Sequence, residues 1–167
     1  MSSSAKFDPL DCKRKIDMSF TVKQETLLDA MSAFRKRAAH PRRPRGVHAA
    51  AITHGAGILA FAEDVGRHNA VDKVVGACAL QEIPLGDKLL LTTGRISLEV
   101  AAKALRAGLP LIASARGPTA AAVELGLQTG LTVVGFVTAV GTTLYSAEWR
   151  VAADSGRAWD ERSKPRP

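Results

Sequence analysis

Between Lys88 and Val137 the chain alternates short apolar runs with segments of helical periodicity, and every boundary carries a glycine or a proline. The runs "KLLLTT", "LPLIAS" and "LTVVGFV" are too short for buried helices, so they read as strands covered on both faces. Between them lie "SLEVAAKALRAG", with Ser97 as candidate N-cap and Gly108 past its end, and "PTAAAVELGLQTG", where Pro118 suits a first helical turn and Gly130 ends it. Parallel neighbours cannot be joined by tight turns and need crossovers, here short helices. That requirement points to an α/β domain with three layers, built on a mixed, mostly parallel sheet.

The flanking segments fit around this centre. "VKQETLLDAMSAFRKR", from Val22 to about Arg37, sets Leu27, Leu28, Met31 and Phe34 on one helical face. "GVHAAAI" and "ILAFAE" flank the glycine-bearing "THGAG" and read as an antiparallel hairpin. In "EDVGRHNAVDKVVGACAL", Ala70, Val71, Val74, Val75, Cys78 and Ala79 recur at helical spacing, which predicts a helix packed on the sheet. "TTLYS" reads as a last strand, and the polar, unpatterned stretch from Ala152 as a disordered tail. The domain is therefore expected over residues 20–151, after an N-terminal extension of residues 1–19 and before a tail of residues 152–167.

At 167 residues, 46% hydrophobic and 23% charged, the chain suits one globular domain. It contains no long apolar run and no apolar segment of a secretory leader near its start, so the expectation is a cytoplasmic protein without a membrane partner. Cys12 and Cys78 are too few for a disulfide framework, and Cys78 falls in an apolar stripe as an inert core thiol. The net charge of +7 favours anionic partners. Much of it lies in "RKRAAHPRRPR", where Arg35, Lys36, Arg37, Arg42, Arg43 and Arg45 crowd together, either as a solvated connector or as a patch for phosphate or nucleic acid. No aromatic residue interleaves there, which makes nucleic acid the weaker expectation.

In α/β sheets ligands collect outside the carboxyl ends of the strands. There the sequence places "TTGR", "SARGP" and "VTAVG", whose glycine turns, Arg95 and Arg116 suit an anion, although none matches a phosphate-loop or dinucleotide fingerprint. Asp64, Arg67 and His68 stand at the entrance of a helix, and His68 and Asp72 can share one face of its first turn. Two readings stay open for this turn: an ion-pair network stapling it to the sheet, or a ligand site. His48 within "VHAAA" is either a satisfied core histidine or a donor in the same pocket. No serine or cysteine sits at a strand-helix elbow beside a base, so no catalytic nucleophile is expected.

Taken in order, "GVHAAAI", "EDVGRHNAVDKVVG", "TTGRISLEVAAKALRAGLP", "LTVVGFV" and "LYS" resemble the formate dehydrogenase accessory sulfurtransferases, the FdhD family, from about Phe20 to Val151. The resemblance implies a cytidine-deaminase-like core, a homodimer, and a sulfur carrier. In that role, sulfur passes from a cysteine desulfurase to the bis(molybdopterin guanine dinucleotide) molybdenum cofactor before its insertion into formate dehydrogenase. It further implies that Phe136, Val137, Thr138, Ala139, Val140 and Gly141, the "FVTAVG" segment, correspond to the cofactor-binding loop, for which GDP serves as a mimic. His48, Asp64, Arg67, His68 and Arg95 join it as candidate cofactor contacts.

Three departures qualify the resemblance. The family carries sulfur on a Cys-x-x-Cys loop upstream, whereas "DCKRK" offers Cys12 alone, beside cations that favour its thiolate but away from the family position. "RPRG" retains only Gly46 of the threonine-glycine pair before the histidine motif, and "FVTAVG" lacks the basic residues usual in that loop. Zinc-dependent deamination is excluded, because Ala50 takes the place of the required glutamate and no Cys-x-x-Cys follows. The expectation is an accessory protein that binds the molybdenum cofactor and is impaired in sulfur transfer; the alternative is a non-catalytic basic module for nucleic acid or a partner protein. No metal site of its own is expected.

Overall fold

Leu89–Thr92, Leu111–Ser114 and Thr132–Gly135 are buried at every residue, as strands with helices on both faces must be. They form β4, β5 and β6 in a computed structural model that describes residue 16 and residues 18–39, 46–138 and 141–153. Upstream are β1 (Val22–Lys23), α1 (Gln24–Ala38), the hairpin of β2 (His48–His54) and β3 (Gly57–Asp64), and α2 (Arg67–Leu80). The crossovers are α3 (Leu98–Ala107) and α4 (Ala120–Thr129), followed by β7 (Thr143–Leu144), a 3-10 turn at Glu148–Arg150 and β8 (Val151–Ala152).

The six-stranded sheet has the order β3-β2-β4-β5-β6-β7. β4 with β5 and β5 with β6 are parallel, while β3 with β2, β2 with β4 and β6 with β7 are antiparallel. Thus β3, β4, β5 and β6 point one way, and β2 and β7 the other. The pleat sorts the core into two faces. Ala50, Ile52, Leu90, Ile112 and Val133 meet α2, α3 and α4; Ala49, Ala51, Leu89, Leu91, Leu111, Ala113 and Val134 meet α1 through Leu27, Met31 and Phe34. Each such leucine or isoleucine contributes roughly 1.5–3 kcal/mol by leaving water. The three-layer expectation holds, with three helices on one face and one on the other.

Some local readings need correction. The first helix begins at Gln24 rather than Val22, because Val22 and Lys23 pair in parallel with Val151 and Ala152 as a separate two-stranded ribbon. α4 begins at Ala120, not at Pro118: Thr119 is its N-cap and its hydroxyl accepts from the Ala122 amide at 3.3 Å. Ser97 does precede α3, yet its side chain makes no capping bond. Gly108 and Gly130 end their helices in the left-handed conformation, at φ 81° and 77°, as their positions foretold. Ala79 of the predicted apolar stripe is exposed, whereas Cys78 is fully buried and burial raises its thiol pKa.

At the amino ends of the strands, Arg150 is 0% exposed. Its Nε donates to Thr132 Oγ1 at 3.0 Å, Nη1 to the Phe20 carbonyl at 2.7 Å and Nη2 to the Gly130 carbonyl at 3.1 Å, with the guanidinium 4.4 Å from the Trp149 ring centre. One side chain thereby ties the start of the domain to β6 and to the turn before it.

Candidate functional site

Register places the nominated residues along one edge of the sheet. His48 pairs with Asp64, Ala50 with Thr92, and Thr92 with Ser114, so the start of β2 and the ends of β3, β4, β5 and β6 lie side by side. His48, Asp64, Arg67, His68, Arg95 and Phe136 therefore share that edge. Val137 and Thr138 leave it after β6, and Gly141 closes the following turn against Thr138, its amide donating to Thr138 Oγ1 at 3.1 Å. Ala139, Val140, Cys12, Arg42, Arg43 and Arg45 lie outside the described residues, as do residues 154–167 of the expected 152–167 tail, whose first residue, Ala152, pairs with Lys23 in the two-stranded ribbon instead.

The charged turn after β3 divides into two sets. Asp64 accepts from Lys73 Nζ at 2.6 Å, from the Gly66 amide at 2.9 Å and from Asn69 Nδ2 at 3.1 Å. Lys73 also donates to the Glu63 carbonyl at 3.1 Å. The bond from Lys73, then those from Gly66 and Asn69, holds the Asp64 carboxyl down to about 2. Asp72 pairs with Lys103 of α3. These residues staple α2 to the sheet and to α3, as the first of the two open readings has it.

Among the described residues Arg67 and His68 make no such ion pair. Arg67 lies across Gly94: a Cβ at that glycine would stand 2.7 Å from Arg67 Cβ and 3.0 Å from its Cδ. Among the described residues its buried Nε has no hydrogen-bond partner, a costly state that an acceptor from outside would relieve. Burial first, then the positive charges of Arg67 and Lys103, lower the pKa of His68, so the imidazole is neutral at pH 7.

Beyond the nominated residues, hydroxyls shape the edge. Ser114 Oγ donates to the Gly94 carbonyl at 2.8 Å and accepts from the Arg116 amide at 3.0 Å, joining the turns after β4 and β5. Thr92 Oγ1 accepts from the Gly94 amide at 3.0 Å, and Thr93 Oγ1 from the Ala49 amide at 2.9 Å. Their sequence signal is a serine or threonine ending an apolar strand just before a glycine turn, "TTG" and "SARG". Arg95 and Arg116 are exposed on those turns.

Phe136 is the strained member. Its φ of 51° is in the left-handed region that a bulky side chain disfavours. Its ring is 50% exposed and covers Gly117, where a Cβ would fall 2.6 Å from Cζ. The Val137 amide donates to the Ser114 carbonyl at 3.1 Å, anchoring the segment to the end of β5.

Fold and edge define a three-layer α/β domain that gathers its unmet donor, its neutral histidine and its strained aromatic where the strands end. The chain belongs to the FdhD/NarQ family, whose profile matches residues 2–152. It is 43% identical over 148 residues to a sulfur carrier protein FdhD of Streptomyces avermitilis, covering 86% of this chain and 52% of that protein. It is 47% identical over 113 residues to that of Streptomyces coelicolor, covering 66% and 40%, and 36% identical over 132 residues to that of Saccharolobus solfataricus, covering 78% and 51%. The crystal structure of a protein described as a formate dehydrogenase accessory protein from Desulfotalea psychrophila superposes with a TM-score of 0.73 at 25% identity, over 86% of this chain and 62% of that one. The chain thus spans about half the length of the curated relatives it matches.

Proposed function

We propose that this chain is an FdhD-type accessory protein for formate dehydrogenase. It binds the bis(molybdopterin guanine dinucleotide) molybdenum cofactor at the carboxyl edge of its sheet and takes part in moving sulfur to it from a cysteine desulfurase. The observation that carries this reading is the convergence of the family strings: "EDVGRHN", "TTGR" and "GFV", distant in sequence, meet at one edge in a chain that belongs to the family. Arg67, with its buried unmet donor, and the half-exposed ring of Phe136 are the parts of that edge best suited to an anionic, aromatic ligand.

Sulfur transfer is the weaker half of the function in these 167 residues. They contain no Cys-x-x-Cys, and of their two cysteines Cys78 is sealed in the core with a raised pKa, which suppresses its thiolate. By themselves they bind the cofactor without completing transfer. Among the described residues no helix is long and apolar enough to cross a membrane. A homodimer in the cytoplasm is the assembly this function calls for.

Calorimetric titration with GDP at fixed salt, with ATP and inorganic phosphate as controls, tests the reading. Selective GDP binding is expected. Equal binding of ATP, or none of either nucleotide, would remove the cofactor assignment and leave the basic segment and its nucleic-acid or protein partner as the function to pursue.

A further inference from the structure

The last turn of α1 carries Arg35, Lys36 and Arg37, and the three side chains part company there. Arg37 lies over the Phe61 ring, 4.7 Å from its centre. Arg35 and Lys36 instead line a groove of 490 Å³ that is bordered on its other side by Val137 and Thr138, with Met31, Ser32 and Asp29 also lining it. Neither forms an ion pair among the described residues. The spacing between helix and segment is fixed from beneath, because Val137 is buried in the same apolar cluster as Leu27, Met31 and Phe34 of α1.

The segment from Phe136 to Gly141 contains no lysine or arginine. Nor are its described amides open to a phosphate. Phe136 donates to the Arg116 carbonyl at 3.4 Å, Val137 to the Ser114 carbonyl at 3.1 Å, Thr138 to the Gly141 carbonyl at 2.9 Å, and Gly141 to Thr138 Oγ1 at 3.1 Å. A phosphate held at this segment must therefore find its charge and its donors elsewhere.

Building on the function proposed above, we propose that Arg35 and Lys36 of α1 bind the phosphates of a nucleotide held beside Val137 and Thr138, supplying the positive charge that this side of the groove lacks. The anion sits at the Arg35–Lys36 end of the groove, away from the carboxylate of Asp29 nearer the start of the helix. Arg37, committed to Phe61, takes no part.

The test compares GDP with guanosine, which keeps the base and sugar but has no phosphate, by calorimetry on the full chain at two salt concentrations. In the Arg35→Gln, Lys36→Gln double variant GDP affinity should fall by about tenfold or more and lose most of its salt dependence, with guanosine unchanged. Arg37→Gln should leave both ligands unchanged. An unaltered GDP affinity in the double variant, or an equal loss for guanosine, overturns the assignment. If the native chain binds neither GDP nor guanosine, the nucleotide reading fails separately, and inorganic pyrophosphate then reads the anion site. Pyrophosphate binding that the double variant loses supports the site; its absence in the native chain overturns it.

Discussion

Arg67 and Arg150 stand at opposite edges of one sheet, and the fold treats their guanidinium groups in opposite ways. At the amino edge, Nε, Nη1 and Nη2 of Arg150 each donate to a fixed protein oxygen, and the side chain is fully buried. At the carboxyl edge, Arg67 is half-buried and its Nε faces no acceptor among the described residues. A buried cation is tolerable only when its donors are met. Arg150 meets that condition inside the chain and so acts as structure. Arg67 has a donor left over among the described residues, a state that an acceptor from outside would relieve.

The sharpest way to break this contrast is to remove each arginine in turn. Arg150→Met leaves Thr132 Oγ1 and the carbonyls of Phe20 and Gly130 without their donor in a buried setting, and a loss of about 3–5 kcal/mol is expected in urea unfolding. Arg67→Gln should lower stability by less than about 1 kcal/mol while weakening GDP binding about tenfold. If the two variants lost equal stability, Arg67 would be another structural arginine and the carboxyl edge would have lost its best claim to a ligand.

A similar contrast lies within the carboxyl edge, between Phe136 and the strand that leads to it. Thr132–Gly135 is regular and buried, whereas Phe136 takes φ 51° and shows half its ring to solvent. Glycine adopts that backbone without penalty, and the strain of a bulky residue there is about 1 kcal/mol or more. Phe136→Gly is therefore expected to change stability by less than about 1 kcal/mol in either direction, because relief of strain offsets removal of the ring that packs over Gly117. GDP affinity should nevertheless fall several-fold. A variant that unfolds more easily yet binds GDP normally would show that the ring is kept for packing.

How far such contrasts could be read beforehand depended on range. The parallel centre was legible because burial on both faces forces apolar runs such as "LLL" and "TVVG", and breakers mark their ends. The hairpin followed from the glycines of "THGAG", and α2 from the helical spacing of its apolar residues. The β1–β8 ribbon was not legible: two residues at each end of the domain carry no periodicity, and only the fold brings Val22 to Val151. Nor did the sequence single out Arg150, since nothing near it announces Thr132, Gly130 and Phe20 as partners. At the site, the turn "EDVGRHN" was legible as a cluster, but its division was not. That Asp64 spends its charge on Lys73 while Arg67 runs over Gly94 is decided by which turn of which strand lies alongside.

The smallest effect separates the two sets of charges in that turn. Asp64 is held at about 2, below its ordinary range, chiefly by Lys73 and then by Gly66 and Asn69. With its folded pKa below its unfolded one, the native state binds fewer protons than the unfolded state between about pH 4 and pH 2. The stability Asp64 contributes is thus complete above about pH 4 and is lost as pH falls through that window. Asp64→Asn should flatten this part of the acid limb in urea unfolding followed against pH, and the native chain and the variant should run parallel above it. His68 differs in its window: its pKa is also lowered, so its protonation opposes folding, but only as pH drops below its ordinary 6.5. His68→Gln should flatten the limb just below neutrality and leave the region below pH 4 unchanged. Should Asp64→Asn instead alter the neutral region, the carboxylate would be acting through Arg67 and His68, and the turn would be one coupled network rather than a staple beside a ligand site.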